Sequence, residues 1–228
     1  MQKVMVFLLL ALAGTATAQQ VDLLVYRIKE KGVTPYISRI LVSDAFVRID
    51  EGEDSPNGYT LYNRVSHRIY NVDPEEETVL VLQPPVAQPQ PPEGFSMDSA
   101  LLRDPGVPPV AGRSPRKLEL RAAGRLCRTL QVVEGVMPRA VQGLRELRLA
   151  LARLQRTPVG DESADPCELA EYVYAPARAL EHGLPLLDLM EGKQQVLLDF
   201  DPAFEVPEGV FQVPESYDRV VPPPLGGS

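Results

Sequence analysis

Two arginines stand within strand-like runs of apolar and aromatic residues, where a charged side chain needs a partner. Arg39 lies in YISRILV and Arg48 in AFVRID. A guanidinium in such a run must face water, pair with a carboxylate such as Asp50, or meet a bound anion. Several tyrosines lie on the same or neighbouring predicted strands, where cross-strand packing is the alternative to contact with a ligand. We predict that a ligand site, where one exists, is lined by Arg39, Arg48, Tyr36, Tyr59 and Tyr62.

Patterns that would indicate catalysis or a bound metal are weak. The chain has no G-x-S-x-G elbow, no glycine-rich phosphate loop and no H-E-x-x-H helix, and its only histidines are His67 and His182. The acidic residues around Gly52 lack the spacing of the common calcium loop. We therefore expect a non-catalytic protein without a metal or cofactor, and an unrecognised hydrolase remains an alternative.

The first eighteen residues have the layout of a secretory signal peptide. Lys3 precedes a ten-residue apolar run (VMVFLLLALA), and Ala16-Thr17-Ala18 fits the small-x-small rule for cleavage between Ala18 and Gln19. A span across a bilayer needs about twenty apolar residues. A lipidated N-terminus would need a cysteine after the cleavage site, where Gln19 stands. These features predict export to the periplasm of a protein that is neither lipidated nor membrane-spanning.

Charge and cysteine content fit that expectation. A formal net charge of −8 repels nucleic-acid phosphates, so no nucleic-acid partner is expected. The local basic stretch from Arg113 to Arg128 is interpreted as an exposed strand pair with solvated arginines. Cys127 and Cys167 are the only cysteines, and an even count in an oxidising compartment predicts a disulfide.

The order of elements predicts one α+β domain over residues 19–221. Six short strands between residues 21 and 83 have short connections, which indicates an antiparallel meander. Several are apolar on both faces, so the sheet must be covered on both sides by helices or by an apolar ligand. The proline-rich segment 84–115 is predicted to be a surface loop, and 222–228 a disordered tail.

Two helices and a hairpin are predicted in the second half. A hairpin turns at Ala123-Gly124, and leucines at three- and four-residue steps from Val141 to Leu154 predict an amphipathic helix, with Arg145 and Arg148 among the polar positions. Asp165, Pro166 and Glu168 are typical of the start of a second helix. Strands at 196–200 and 209–213 are expected to close the sheet.

The two halves of the chain resemble uncharacterised exported proteins of proteobacteria. The runs that carry the likeness are YISRILVSDAFVRIDEG, GYTLYNRVSHRIYNVD and, later, DPCELA and YAPARALEHGLPL. The architecture is also distantly similar to the periplasmic lipoprotein carriers LolA and LolB, whose half-barrel holds acyl chains in an apolar concavity. The second resemblance implies a curved antiparallel sheet, like a half-barrel, with two helices packed on it.

Together these features predict a periplasmic binding protein for an apolar or amphiphilic, lipid-like molecule. The alternative is a protein-protein interaction module of the cell envelope that recognises a partner through a sheet face or the proline-rich loop. A sheet covered on both faces by the chain itself, with no space left inside, would argue against the first hypothesis.

Overall fold

The computed structural model describes residues 19–52, 57–155 and 164–223. The predicted signal peptide and residues 224–228 of the predicted tail lie outside these ranges. The described strands are β1 (Gln19–Glu30), β2 (Tyr36–Val42), β3 (Phe46–Asp50), β4 (Tyr59–Asn63), β5 (Arg68–Asp73), β6 (Thr78–Leu82), β7 (Met97–Arg103), β8 (Arg116–Ala122), β9 (Arg125–Val133), β10 (Leu184–Met190), β11 (Lys193–Val206) and β12 (Asp218–Val220).

All twelve strands belong to one curved, open sheet in the order β12-β6-β5-β4-β3-β2-β1-β11-β10-β9-β8-β7. Every neighbouring pair is antiparallel except β12 and β6. Strands β1 to β6 follow one another in space as they do in sequence, because short connections favour antiparallel neighbours. The predicted α+β fold, a curved antiparallel sheet with helices packed on it, is confirmed.

Apolar side chains cover both faces of the central strands, as the sequence predicted. The inner face, which carries Leu24, Tyr26 and Ile40, packs against the long helix α1 (Pro138–Arg153). The outer face carries Leu23, Leu41 and Leu61, which pack against Val206 and Phe211 near the C-terminus. The chain therefore supplies cover for both faces of its own sheet.

Helix α1 approaches the inner face unusually closely at a glycine. A Cβ atom on Gly143 would come within 2.8 Å of Val42 Cγ1 and 2.9 Å of Val47 Cγ2, so a larger residue would push the helix away. The first turn is held by Asp22 of β1, whose Oδ2 accepts the Ala140 N–H at 2.9 Å. This carboxylate replaces the missing side-chain cap, because helix N-termini leave N–H groups unsatisfied.

The second helical segment begins as predicted and then widens. Asp165 Oδ1 accepts from the N–H groups of Cys167 and Glu168 at 2.7 and 3.4 Å, which caps α2 (Pro166–Glu168). The chain continues as a π-helical segment (Leu169–Tyr174), is interrupted at Pro176 and then forms a 3₁₀ helix (Arg178–His182). The sequence pattern gave no indication of the wide π turn. No helix among the described residues is both long and apolar enough to span a bilayer.

The predicted strand layout was wrong in several places. Residues 84–115 are not loop throughout, because the proline-free stretch Met97–Arg103 pairs with β8 as the edge strand β7. Residues 209–213, predicted as a closing strand, form turns that pack Phe211 on the outer face. Strand β10 was not predicted at all, since Pro185 interrupts its pattern; a register shift between Pro185 and Leu187 accommodates the missing N–H.

The predicted disulfide is confirmed. Cys127 of β9 and Cys167 of α2 are joined by an S–S bond of 2.04 Å, with a Cα–Cα distance of 5.2 Å. The bond ties the start of the second helical segment to the sheet across a sequence separation of 40 residues.

Removing the disulfide should destabilise the protein. Replacing both cysteines with alanine is expected to lower the free energy of unfolding by up to about 4 kcal/mol, because an unfolded chain without the cross-link gains entropy. Urea denaturation of both proteins, with and without reductant, measures the difference. Reductant should shift the midpoint of the native protein and leave the double variant unchanged; equal midpoints would contradict a stabilising role.

Candidate ligand cavity

A cavity of about 840 Å³ lies between the inner face of the sheet and the helices. The sheet contributes apolar side chains to one wall, and α1 contributes a leucine row to the other. This volume is within the range of about 300–1,000 Å³ that is usual for small-molecule sites. The apolar wall residues are Ile28, Ile40, Ile49, Leu80, Leu144, Leu147 and Leu151.

The cavity crosses the sheet from β6 to β9, and buried charged residues line its polar end near β9 and β10. Leu80, Thr78 and Asn71 line it from β6 and β5, whereas Arg128 and Asp188 line it from β9 and β10. Near that polar end, the buried Tyr26 hydroxyl donates to the Pro185 carbonyl oxygen at 2.9 Å. Burial raises the pKa of Tyr26 well above its ordinary value, so this hydroxyl stays protonated and serves as a fixed donor.

The charges at the polar end form a buried network. Arg128 donates through Nε to Asp188 Oδ1 at 3.0 Å, through Nη2 to Asp188 Oδ2, and through Nη1 to Glu171 Oε2. Arg178 donates through Nε to Glu171 Oε1 at 3.0 Å and through Nη1 to the carbonyl oxygen of Arg121 at 2.8 Å. All four residues are buried. The network joins the π-helical segment and the 3₁₀ helix to β9 and β10.

Arg128 keeps its positive charge, because its pKa is raised. Burial by itself lowers the pKa of Arg128, but hydrogen bonds and charge from Asp188 and Glu171 outweigh it and raise the pKa above its ordinary value. This arginine is therefore a structural cation whose donors are directed to the two carboxylates.

Arg148 of α1 lines the same end of the cavity without such a partner. No hydrogen bond or ion pair within the described ranges involves its guanidinium. Burial and the like charge of Arg128 lower the pKa of Arg148. The side chain is half-buried and borders the open space of the cavity.

Carboxylates also border the cavity where the strands end. Glu51, which follows β3, accepts from Asn57 at 2.5 Å, and Asp73 lies at the end of β5. Asp50 borders the cavity as well, but its oxygens accept from Arg39 and Arg48. Hence the carboxylates of an acidic rim and the guanidinium of Arg148 both face the space.

The tyrosines predicted to line a ligand site have three different surroundings. Tyr36 lines the cavity. Tyr59 borders it too, but its hydroxyl donates to the Gln212 carbonyl oxygen at 2.8 Å and its ring lies under Arg48 on the outer face. Tyr62 packs in the core beside α1, with its hydroxyl 2.9 Å from His67 Nδ1, and is not among the lining residues.

The two arginines predicted with them lie on the outer face. Arg39 donates to Asp50 from Nε at 2.7 Å and from Nη2 at 3.0 Å, so the carboxylate pairing considered above is what the structure contains. Arg48 donates to Asp50 Oδ2 at 2.7 Å and to the Val210 carbonyl oxygen at 2.6 Å. Burial alone would raise the pKa of Asp50, but the two arginines hold it below its ordinary value.

The sequence predicted neither arginine of the polar end as a cavity residue. Arg128 is only 4% exposed, so its interpretation as a solvated arginine was wrong. It alternates in phase with the buried Leu130 and Val132, which is the signal that it points inward. Arg148 follows Leu144 by four residues and precedes Leu151 by three, a spacing that places it on the cavity-facing stripe of α1.

The described residues around the cavity include neither a candidate metal site nor a histidine. Within residues 19–52, 57–155 and 164–223, no three His, Cys, Asp or Glu side chains group as a metal site would require. Neither His67 nor His182 is among the residues that line the cavity.

Comparison with known proteins gives little further information. No family model and no curated protein matches the sequence. An uncharacterized conserved protein from Thermus thermophilus has a similar structure, with a TM-score of 0.43 and 9% identity over 91% of this chain and 92% of that one. A structure of PNGF-II in space group C2 gives a TM-score of 0.42 and 8% identity over 90% of this chain and 31% of that one. Neither likeness is close enough to indicate a function.

Neutralising Glu171 should destabilise the fold. Glu171→Gln leaves Arg128 and Arg178 without a carboxylate between them, and breaking a buried ion pair typically costs about 3–5 kcal/mol. Urea denaturation measures the loss. The matched control is Glu168→Gln, an exposed position just before the π-helical segment, which should change stability far less. Equal effects of the two substitutions would show that the network does not hold the helices to the sheet.

Proposed function

We propose that the protein is a periplasmic, non-catalytic binding protein that takes one apolar or amphiphilic small molecule into the cavity. The observation that carries the proposal is the open space of about 840 Å³ that remains between the sheet and α1. Leucine and isoleucine side chains line it from both the sheet and α1, and burial of a ligand's hydrocarbon surface there is favourable by about 25 cal/mol per Å².

The cavity is built from rigid elements, which favours a site formed before the ligand arrives. One wall is the hydrogen-bonded sheet, and the other is α1, which is fixed by Gly143 packing, by Asp22 at its first turn and by Arg64. Arg64 donates to Glu146 from Nε at 2.7 Å and from Nη2 at 3.0 Å, so it ties the helix to the β4–β5 turn. A preformed site loses less free energy to ordering on binding than a flexible one.

Export to the periplasm is supported by two independent features. The N-terminal eighteen residues have the order of a signal peptide, and the disulfide between Cys127 and Cys167 fits an oxidising compartment. The likeness to the lipoprotein carriers LolA and LolB stays a prediction.

A neutral lipophilic probe tests whether the cavity binds. N-phenyl-naphthylamine should bind saturably with a rise in fluorescence. Leu80→Trp, which adds an indole to the wall on β6, should weaken binding about tenfold or more, because overpacking typically costs about 1–3 kcal/mol. The matched control, Leu102→Trp on the exposed edge strand β7, should bind as the native protein does.

Two results would contradict the proposed function. One is the absence of saturable binding to the native protein, and the other is equal binding by Leu80→Trp and Leu102→Trp. Native mass spectrometry of protein purified without detergent adds a second measurement, in which a co-purifying small molecule supports the proposal.

A further inference from the structure

The polar end of the cavity, taken together with Arg178, which pairs with Glu171 and does not itself line the space, carries more positive than negative charge. Three guanidinium groups, those of Arg128, Arg148 and Arg178, are grouped with only two carboxylates, those of Glu171 and Asp188. Arg128 and Arg178 are directed to those carboxylates, whereas Arg148 has no hydrogen-bonding partner in the part of the chain that the structure describes. The excess positive charge therefore belongs to Arg148.

The neighbouring carboxylates are already engaged. Both oxygens of Asp188 accept from Arg128, one oxygen of Glu171 accepts from Arg128, and the other accepts from Arg178. Drawing either acid toward Arg148 would weaken a buried charge-assisted hydrogen bond, which is among the stronger contacts in a protein. Asp188 and Glu171 thus attract Arg148 through space, but each of their oxygens already accepts a hydrogen bond from Arg128 or Arg178.

Arg148 faces a space that suits a ligand with one charged end. Leu144 and Leu151 flank it on the same stripe of α1, and Leu80 lines the same cavity from β6. Removing a guanidinium from bulk water without a partner is costly, and a planar carboxylate can accept two parallel hydrogen bonds from it.

The acidic rim limits the charge that such a ligand can carry. Glu51 and Asp73 border the cavity where the strands end, and neither is paired with an arginine or lysine there among the described contacts. Repulsion from these carboxylates disfavours a head group with several negative charges. A single carboxylate on a hydrocarbon chain suits both Arg148 and the apolar part of the walls.

We propose that the cavity binds a fatty acid, whose carboxylate pairs with Arg148 and whose hydrocarbon chain lies between α1 and the inner face of the sheet. This proposal rests on the proposed function and adds the chemical class of the ligand. It makes Arg148 the residue that distinguishes a fatty acid from a neutral molecule of the same length.

The test compares laurate with dodecanol, which has the same chain length and no charge. Isothermal titration calorimetry with the native protein should give tighter binding for laurate. Arg148→Met keeps the length and the helix propensity of the side chain and removes its charge. It should weaken laurate binding about tenfold to hundredfold, as expected for loss of a hydrogen bond between charged groups. Dodecanol should bind Arg148→Met at least as well as the native protein.

The matched control is Arg145→Met, on the same helix three residues earlier, where the side chain is 38% exposed and does not line the cavity. It should leave the affinities for both compounds unchanged. Circular dichroism of each variant checks that the fold is retained. If Arg148→Met fails to fold, the comparison of laurate with dodecanol on the native protein decides, and equal affinity there overturns the proposal.

A spectroscopic measurement separates direct pairing from an indirect effect. Carbon-13 NMR of carboxyl-labelled laurate follows the titration of the bound head group, whose pKa should be lower in the native protein than in Arg148→Met. The same pKa in both proteins would overturn the pairing. Unchanged laurate affinity in Arg148→Met would also overturn it and leave the proposed function standing, whereas failure of the native protein to bind laurate, dodecanol and N-phenyl-naphthylamine would reject both.

Discussion

A sheet that is apolar on both faces must be shielded from water on both faces. The other elements of this structure are arranged so that they provide that cover. The turns near the C-terminus place Phe211 against Phe46 on the outer face, with ring centroids 5.6 Å apart. On the inner face, α1 covers the central strands, and the π-helical and 3₁₀ segments cover the side near β8 to β10. The cover on the inner face is incomplete, and the cavity is the space that remains between α1 and the curved sheet.

The proline-rich segment follows from the same constraint. β6 and β7 are consecutive in sequence but lie near opposite edges of the sheet, so the chain between them must cross the molecule. Prolines suit such a crossing since they favour an extended backbone and leave fewer N–H groups unsatisfied. The crossing is anchored where Gln88 donates to the Val173 carbonyl oxygen at 3.1 Å and Phe95 packs edge-on against Tyr174.

Periodicity predicted much of the fold and less of the site. The meander, the hairpin at Ala123-Gly124 and the leucine stripe of α1 were predictable because each repeats a local pattern with a known period. The network of Arg128, Arg178, Glu171 and Asp188 was not, since its members come from β9, β10, the π-helical segment and the 3₁₀ helix. Their meeting depends on the wide π turn at Leu169–Tyr174, which no pattern indicated. Arg148 was visible in the stripe but had been grouped with the polar positions by residue type.

The same reasoning explains why Arg39 and Arg148, which both interrupt apolar patterns, differ in what they contribute. Arg39 has Asp50 directly opposite it on β3, so the sequence supplies its counter-charge and the pair is complete when the sheet forms. Arg148 faces a hollow instead of a strand, and the acids within reach are committed to Arg128 and Arg178. A half-buried charge without a direct partner costs stability, and under the proposal an anion in the cavity would lower that cost. Local instability of this kind is typical of a position shaped by binding, because it converts part of the folding free energy into affinity for a ligand.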